Sequence, residues 1–198
     1  MRAVLRRSRV GLALLVLAAA LAAPSVVYGG GGPSSRGYAG TVAGTNAFIG
    51  VAVGKSGLTA YVCDSKGLAE WFRGAPGAMT ITSAHGYRLN LRVADGKVTG
   101  TLSFPGAGGA VHSFAAPQVE APAGLYRGTT TVTGSKYVGG WILLPDGRQR
   151  GTVISGGTVV ASPDVNPAKS VVSFEAKTPP KDPGKGTVVI AIIAVLIG

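Results

Sequence analysis

Two histidines and one cysteine stand among the 198 residues, and their positions leave little room for metal or nucleophile chemistry. His85 and His112 would complete a zinc set with Cys63 only if folding also brought in distant carboxylates, and the chain has no HExxH or CxxC spacing. Neither a metal nor another cofactor is expected. There is no GxSxG elbow, no Walker loop and no dinucleotide fingerprint leading into a helix. Gly106-Ala107-Gly108-Gly109 follows Phe104-Pro105 and runs toward a strand, so it reads as a hairpin loop rather than a phosphate cradle. Cys63 sits in the strand-like Leu58-Thr59-Ala60-Tyr61-Val62-Cys63-Asp64, where a thiol is small buried packing, and a reactive thiolate would need a base supplied by folding. Asp64 and Glu70 lie close to Trp71, a pairing of acid/base groups with a stacking platform that carbohydrate sites use. The alternative is a loop carboxylate and a tryptophan capping one end of a barrel. With Trp141, these three form the candidate ligand-binding set, and no catalytic residue is assigned.

The elements that must position them read as short strands. Thirty-two glycines argue against a helical protein, because glycine costs roughly 1 kcal/mol against alanine inside a helix. Tyr87, Leu89, Leu91 and Val93 alternate with Arg88, Asn90 and Arg92, and after Asp95-Gly96 a second alternation runs through Val98, Gly100, Leu102 and Phe104. A two-residue Asp-Gly turn predicts a hairpin pairing Val93 with Val98, Leu91 with Gly100, Leu89 with Leu102 and Tyr87 with Phe104. Arg92 and Thr99, with Asn90 and Thr101, fall on the other face. Asp146-Gly147 predicts a second hairpin between 140–144 and 149–154, and Gly156-Gly157 turns the chain toward Thr158-Val159-Val160. Further strands are predicted at 38–43, 48–53, 58–63, 79–83, 111–115, 125–132 and 171–176, with one helical turn around 67–73. The fold class expected is all-β, an antiparallel meander closing into a small β-barrel with one core, the alternative being a β-sandwich.

Both ends carry apolar segments. Arg2, Arg6, Arg7 and Arg9 precede an uncharged run from Val10 to Ala23 with small residues at its end, the plan of a signal helix, either cleaved near Ala22 or kept as an anchor. The organisation expected is therefore 1–23 signal peptide or signal anchor, 24–37 Gly/Pro/Ser linker, 38–176 β-domain, 177–186 Pro-rich linker and 187–198 apolar tail. A helix over that tail would rise only about 18 Å, too short to span a bilayer. It reads as the front of a membrane anchor or as a β-branched edge strand. Of the 19 basic residues four belong to the leader, which against 8 acidic residues leaves +7 for the rest. Lys55, Lys66, Arg73, Arg88, Arg92, Lys97, Lys136, Arg148 and Arg150 are scattered singly, which speaks against a nucleic-acid groove. They suit an anionic envelope polymer, a lipid or a protein partner.

Ala60-Tyr61-Val62-Cys63-Asp64, Glu70-Trp71-Phe72-Arg73-Gly74, Ala123-Gly124-Leu125-Tyr126-Arg127 and the run from Gly140 to Gly151 resemble segments of exported small β-domain proteins of high-GC Gram-positive bacteria. The resemblance covers about Tyr38 to Val160. It implies a compartment outside the cytoplasm and a β-fold, and no activity. The chain departs from that pattern where Ser65, rather than glycine, follows Cys63-Asp64.

Three functions fit these readings. The first is a non-catalytic domain of the cell envelope, released or membrane-anchored through either terminus, acting as a binding or structural module. The second is a small apolar-ligand-binding barrel, which needs an unfilled interior lined by residues such as Leu89, Leu91, Leu102 and Phe104. The third is a hydrolase using Asp64, Glu70 or a His with Asp, which needs carboxylates converging in a concave site.

Overall fold

A computed structural model of the protein describes residues 35–177 and 185–194. The leader, most of the first linker, residues 178–184 and residues 195–198 lie outside the described residues, so the readings of signal, anchor and linker there fall outside as well.

The described chain is all-β, apart from one 3₁₀ turn at Pro167–Lys169. The first sheet holds β1 (Arg36–Val42), β2 (Phe48–Gly54), β3 (Gly57–Cys63), β4 (Ala69–Gly74), β5 (Thr80–Thr82), β6 (Arg88–Ala94), β7 (Lys97–Ser103) and β8 (Val111–Val119). Its order is β4-β3-β2-β1-β8-β7-β6-β5, with β1 and β8 paired antiparallel, which makes it an up-and-down meander wrapped into a nearly closed barrel. The seam lies between β4 and β5, where Ile81 and Ala78 pack closely on Gly74 instead of a hydrogen-bonded ladder. The second sheet holds β9 (Gly124–Val132), β10 (Ser135–Leu143), β11 (Gln149–Ser155), β12 (Thr158–Ala161), β13 (Val171–Lys177) and β14 (Lys185–Ala194). Its order is β12-β11-β10-β9-β14-β13, a half-barrel.

The predicted hairpin has the register argued from its turn. Val93 faces Val98, Leu91 faces Gly100, Leu89 faces Leu102 and Arg92 faces Thr99, while the Tyr87 and Phe104 rings meet edge to face at 5.2 Å. Asp95 and Gly96 both take positive φ, 50° and 68°, the conformation such a turn requires. β10 and β11 form the second predicted hairpin, closed by Leu144 N–H donating to the Arg148 carbonyl.

Three expectations need correction. The stretch around 67–73, read as a helical turn, is strand β4, because Phe72 alternates with Trp71 and Arg73 along a ladder to β3. The apolar tail, read as an anchor or an edge strand, contains β14 as a central strand between β9 and β13. Its β-branched residues favour a pleated surface, and Val188, Ile190 and Ile192 are buried on one face while Val189 is exposed on the other. Among the described residues no helix is long and apolar enough to cross a membrane. The core is also not single. One cluster fills the barrel, a second lines the concave side of the half-barrel, and a third joins the two sheets through Ala39, Phe48, Tyr61 and Cys63 on one side and Leu125, Ile142 and Leu144 on the other.

Candidate functional site

The barrel interior is a packed core. Tyr38, Ile49, Val51, Phe72, Leu89 and Leu102 point into it and are essentially fully buried, with smaller side chains between them. Leu91 also belongs to this packing, and Phe104 closes against it from one end. The Tyr38 hydroxyl is enclosed there without a hydrogen-bond partner.

Folding gathers both histidines at one end of the barrel, where β4 begins, β7 ends and the turns before β6 and β8 meet. His85 Nδ1 lies 2.8 Å from Glu70 Oε1, with the Glu70 side chain nearly buried and His85 mostly exposed. His112 packs edge to face on Phe104 at 5.5 Å and donates from Nδ1 to the Ala43 carbonyl at 3.0 Å. The Tyr87 phenol beside them is pushed above its ordinary pKa by burial and then by the Glu70 and Asp64 carboxylates. A carboxylate-held imidazole is a proton-transfer pair, but the hydroxyl of the same turn, Ser83 Oγ, accepts from the Tyr87 N–H. The histidine thus meets Glu70 rather than an aspartate, and among the described residues no nucleophile hydrogen-bonds to it.

The four sequence-predicted site residues do not converge. Asp64 Oδ1 accepts the backbone N–H groups of Lys66, Gly67 and Leu68 at 2.8, 3.0 and 3.0 Å, so this carboxylate is spent on holding the β3–β4 turn. Glu70 and Trp71 are neighbours on β4 and therefore face opposite sides, Glu70 toward the barrel end and Trp71 toward the second sheet. Trp141 is 0% exposed in the half-barrel core and donates Nε1–H to the Pro163 carbonyl at 2.9 Å. Its indole lies flat across two glycines: a Cβ at Gly139 would stand 2.1 Å from Cη2, and one at Gly151 2.0 Å from Cδ1. Its contacts are with the half-barrel core.

The junction between the sheets collects what sequence reading left scattered. Trp71 stacks on Tyr61 with ring centroids 4.3 Å apart, and the Arg127 guanidinium covers Trp71 at 5.7 Å. With Tyr61 on one side and Arg127 over it, Trp71 is no open platform for a sugar ring. Arg127 is half-buried, and its pKa is lowered first by that burial and then by the charge of Arg73. Further along the same junction Arg150 and Arg148 sit over the Phe48 ring at 4.6 and 5.6 Å. Arg148 pairs with Asp146 at 2.8 Å, whereas Arg73 and Arg127 have no carboxylate within ion-pair distance among the described residues. Arg127 is the functional candidate that sequence reasoning missed. The available signal was its register opposite Gly140, the one place on β10 where a bare backbone lets Trp71 approach.

Beneath these rings Tyr61 OH and Thr152 Oγ1 are 2.7 Å apart and Cys63 lies alongside, all three buried. Burial is the main cause that raises both the Cys63 thiol and the Tyr61 phenol above their ordinary pKa values. A shallow cleft of about 370 Å³ opens between Gln118–Ala123 and Leu143–Gly147, outside the arginine-lined stretch. No family model, curated protein or solved structure matches the chain.

Proposed function

We propose that the protein is an exported, non-catalytic domain of the cell envelope that works by binding, and that its partner is an anionic polymer. The observation that carries this reading is the line of arginines held on aromatic rings along the sheet junction, Arg127 on Trp71 and Arg148 with Arg150 on Phe48. Guanidinium groups fixed in this way lose less conformational freedom when they meet an oxyanion than free lysines do. The +7 balance outside the leader supplies long-range attraction, and the basic, apolar leader supports export. The filled barrel speaks against an apolar-ligand carrier, and the separate employment of Asp64 and Glu70 speaks against a carboxylate hydrolase. An envelope polymer is favoured over a nucleic acid because the junction rings are already covered and leave no open stacking platform for bases.

The test is retention of the full chain on resins bearing polyphosphate, polyuronate, neutral glucan or single-stranded DNA. Retention on either anionic polymer, elution by salt and passage through the glucan are expected. Passage through both anionic resins, or tighter retention on DNA, refutes the reading.

A further inference from the structure

We infer that Arg73 and Arg127 form an oxyanion subsite at the edge of the sheet junction, which takes a phosphate or carboxylate group of an anionic glycan. This rests on the reading of the protein as an anionic-polymer binder and says where one charged group of the polymer is seated. Arg73 stands two residues from Trp71 on the same face of β4, Arg127 is half-buried over the Trp71 ring, and no carboxylate of the described chain pairs with either cation. Burial, and after it the charge of Arg73, act against the charged Arg127 guanidinium. A bound oxyanion removes both penalties at once, and the planar fork of a guanidinium matches its two oxygens.

The floor of the site is already shaped. Trp71 fixes the Arg127 head group from below, and Tyr61 fixes Trp71. The Trp71 Nε1–H is buried without a hydrogen-bond partner. Its neighbouring Cζ2, bonded to the same ring carbon as Nε1, is the atom pressed against Gly140, the residue registered opposite Arg127. An unspent donor therefore lies on the edge of the indole that faces the arginine's own strand pair.

The chain has two tryptophans, and the second, Trp141, is fully buried in the half-barrel, so a ligand-dependent change in indole emission reports on Trp71. Titration of the full chain with inorganic phosphate, with glucuronate and with neutral glucose distinguishes a phosphate-bearing from a carboxylate-bearing partner. We expect saturable change with one or both anions and none with glucose. Arg127→Gln and the exposed-site variant Arg73→Gln should each weaken binding at least tenfold, whereas Arg92→Gln, on the barrel's outer face away from the junction, should leave it unchanged. Arg127→Lys should recover less than half of the lost affinity, because an ammonium lacks the fork. If both glutamine variants bind the anions as the parent chain does, or if no anion changes the emission, the subsite is wrong. Polymer-resin retention of the same proteins separates the two proposals: retention that persists in the glutamine variants sinks the subsite alone, and loss of retention in the parent chain sinks the binding function.

Discussion

At the scale of single residues, burial decides more than proximity in sequence. Cys63 was legible as packing from its strand setting, and it is 0% exposed. A thiol reagent should label it only after denaturant is added, and stoichiometric labelling of the folded protein within minutes would contradict its burial. The Tyr61 phenol and the Cys63 thiol are both held protonated by burial, above their ordinary values of 10.0 and 9.0. In the unfolded chain each ionises at its ordinary value. Their contribution to stability is therefore complete below pH 9.0 and is lost as the pH climbs past 9.0 and 10.0 toward the folded values. Tyr61→Phe should cost about 1–3 kcal/mol at neutral pH, because the buried Thr152 hydroxyl loses its partner. Melting temperatures measured across the alkaline range should fall less steeply for this variant than for the parent chain. The local role of Asp64 was not legible: the three donors that its Oδ1 satisfies are in its own turn, and a carboxylate engaged locally looks the same in sequence as one offered to a ligand.

At the scale of elements, turn chemistry and alternation carried most of the reading. Asp95-Gly96 set the β6–β7 register, and burial follows it, with Leu91 at 5% exposure and Arg92 exposed. Leu91→Arg should therefore unfold the domain by placing a charge in the barrel, while Arg92→Leu should shift the melting temperature little. Similar losses for both would mean that the faces are misassigned. β4 escaped notice because Glu70, which shares the barrel-facing side with Phe72 and meets His85 there, interrupts the apolar alternation. The central place of β14, left open between an anchor and an edge strand, escaped for the opposite reason. A short run of apolar residues has no period of its own to separate a strand from part of a helix, and its partners are distant in the chain.

At the scale of the whole molecule, the barrel and the half-barrel share the core that joins them, so they should melt in one transition rather than two. Sequence periodicity could announce strands and their spacing, and an all-β architecture followed from them. It could not announce that the outer face of β1–β4 is itself buried by a second sheet, because Phe48 is the one large, wholly apolar side chain among Ala39, Phe48, Tyr61 and Cys63 there, and the other three are small or amphipathic enough to suit an exposed barrel wall. Ending the chain after residue 184 should remove Val188, Ile190 and Ile192 from the half-barrel core and leave β13 without a neighbour. Loss of cooperative unfolding is the outcome expected, and an unchanged denaturant midpoint would show that the strand contributes nothing.

The placement of that strand also sets a clock. Every barrel strand pairs with strands that precede β9, so the segment from Arg36 to Val119 can begin to fold once it has emerged. The half-barrel has no such freedom. β13 reaches β9 only through β14, the last strand of the described residues, which must insert between two strands made earlier. Until then β9 and β13 present unpaired edges, and the half-barrel core stays open. The molecule is thus built to finish in two stages, an early barrel and a late closing strand, with the interval between them the period of greatest exposure to misassembly.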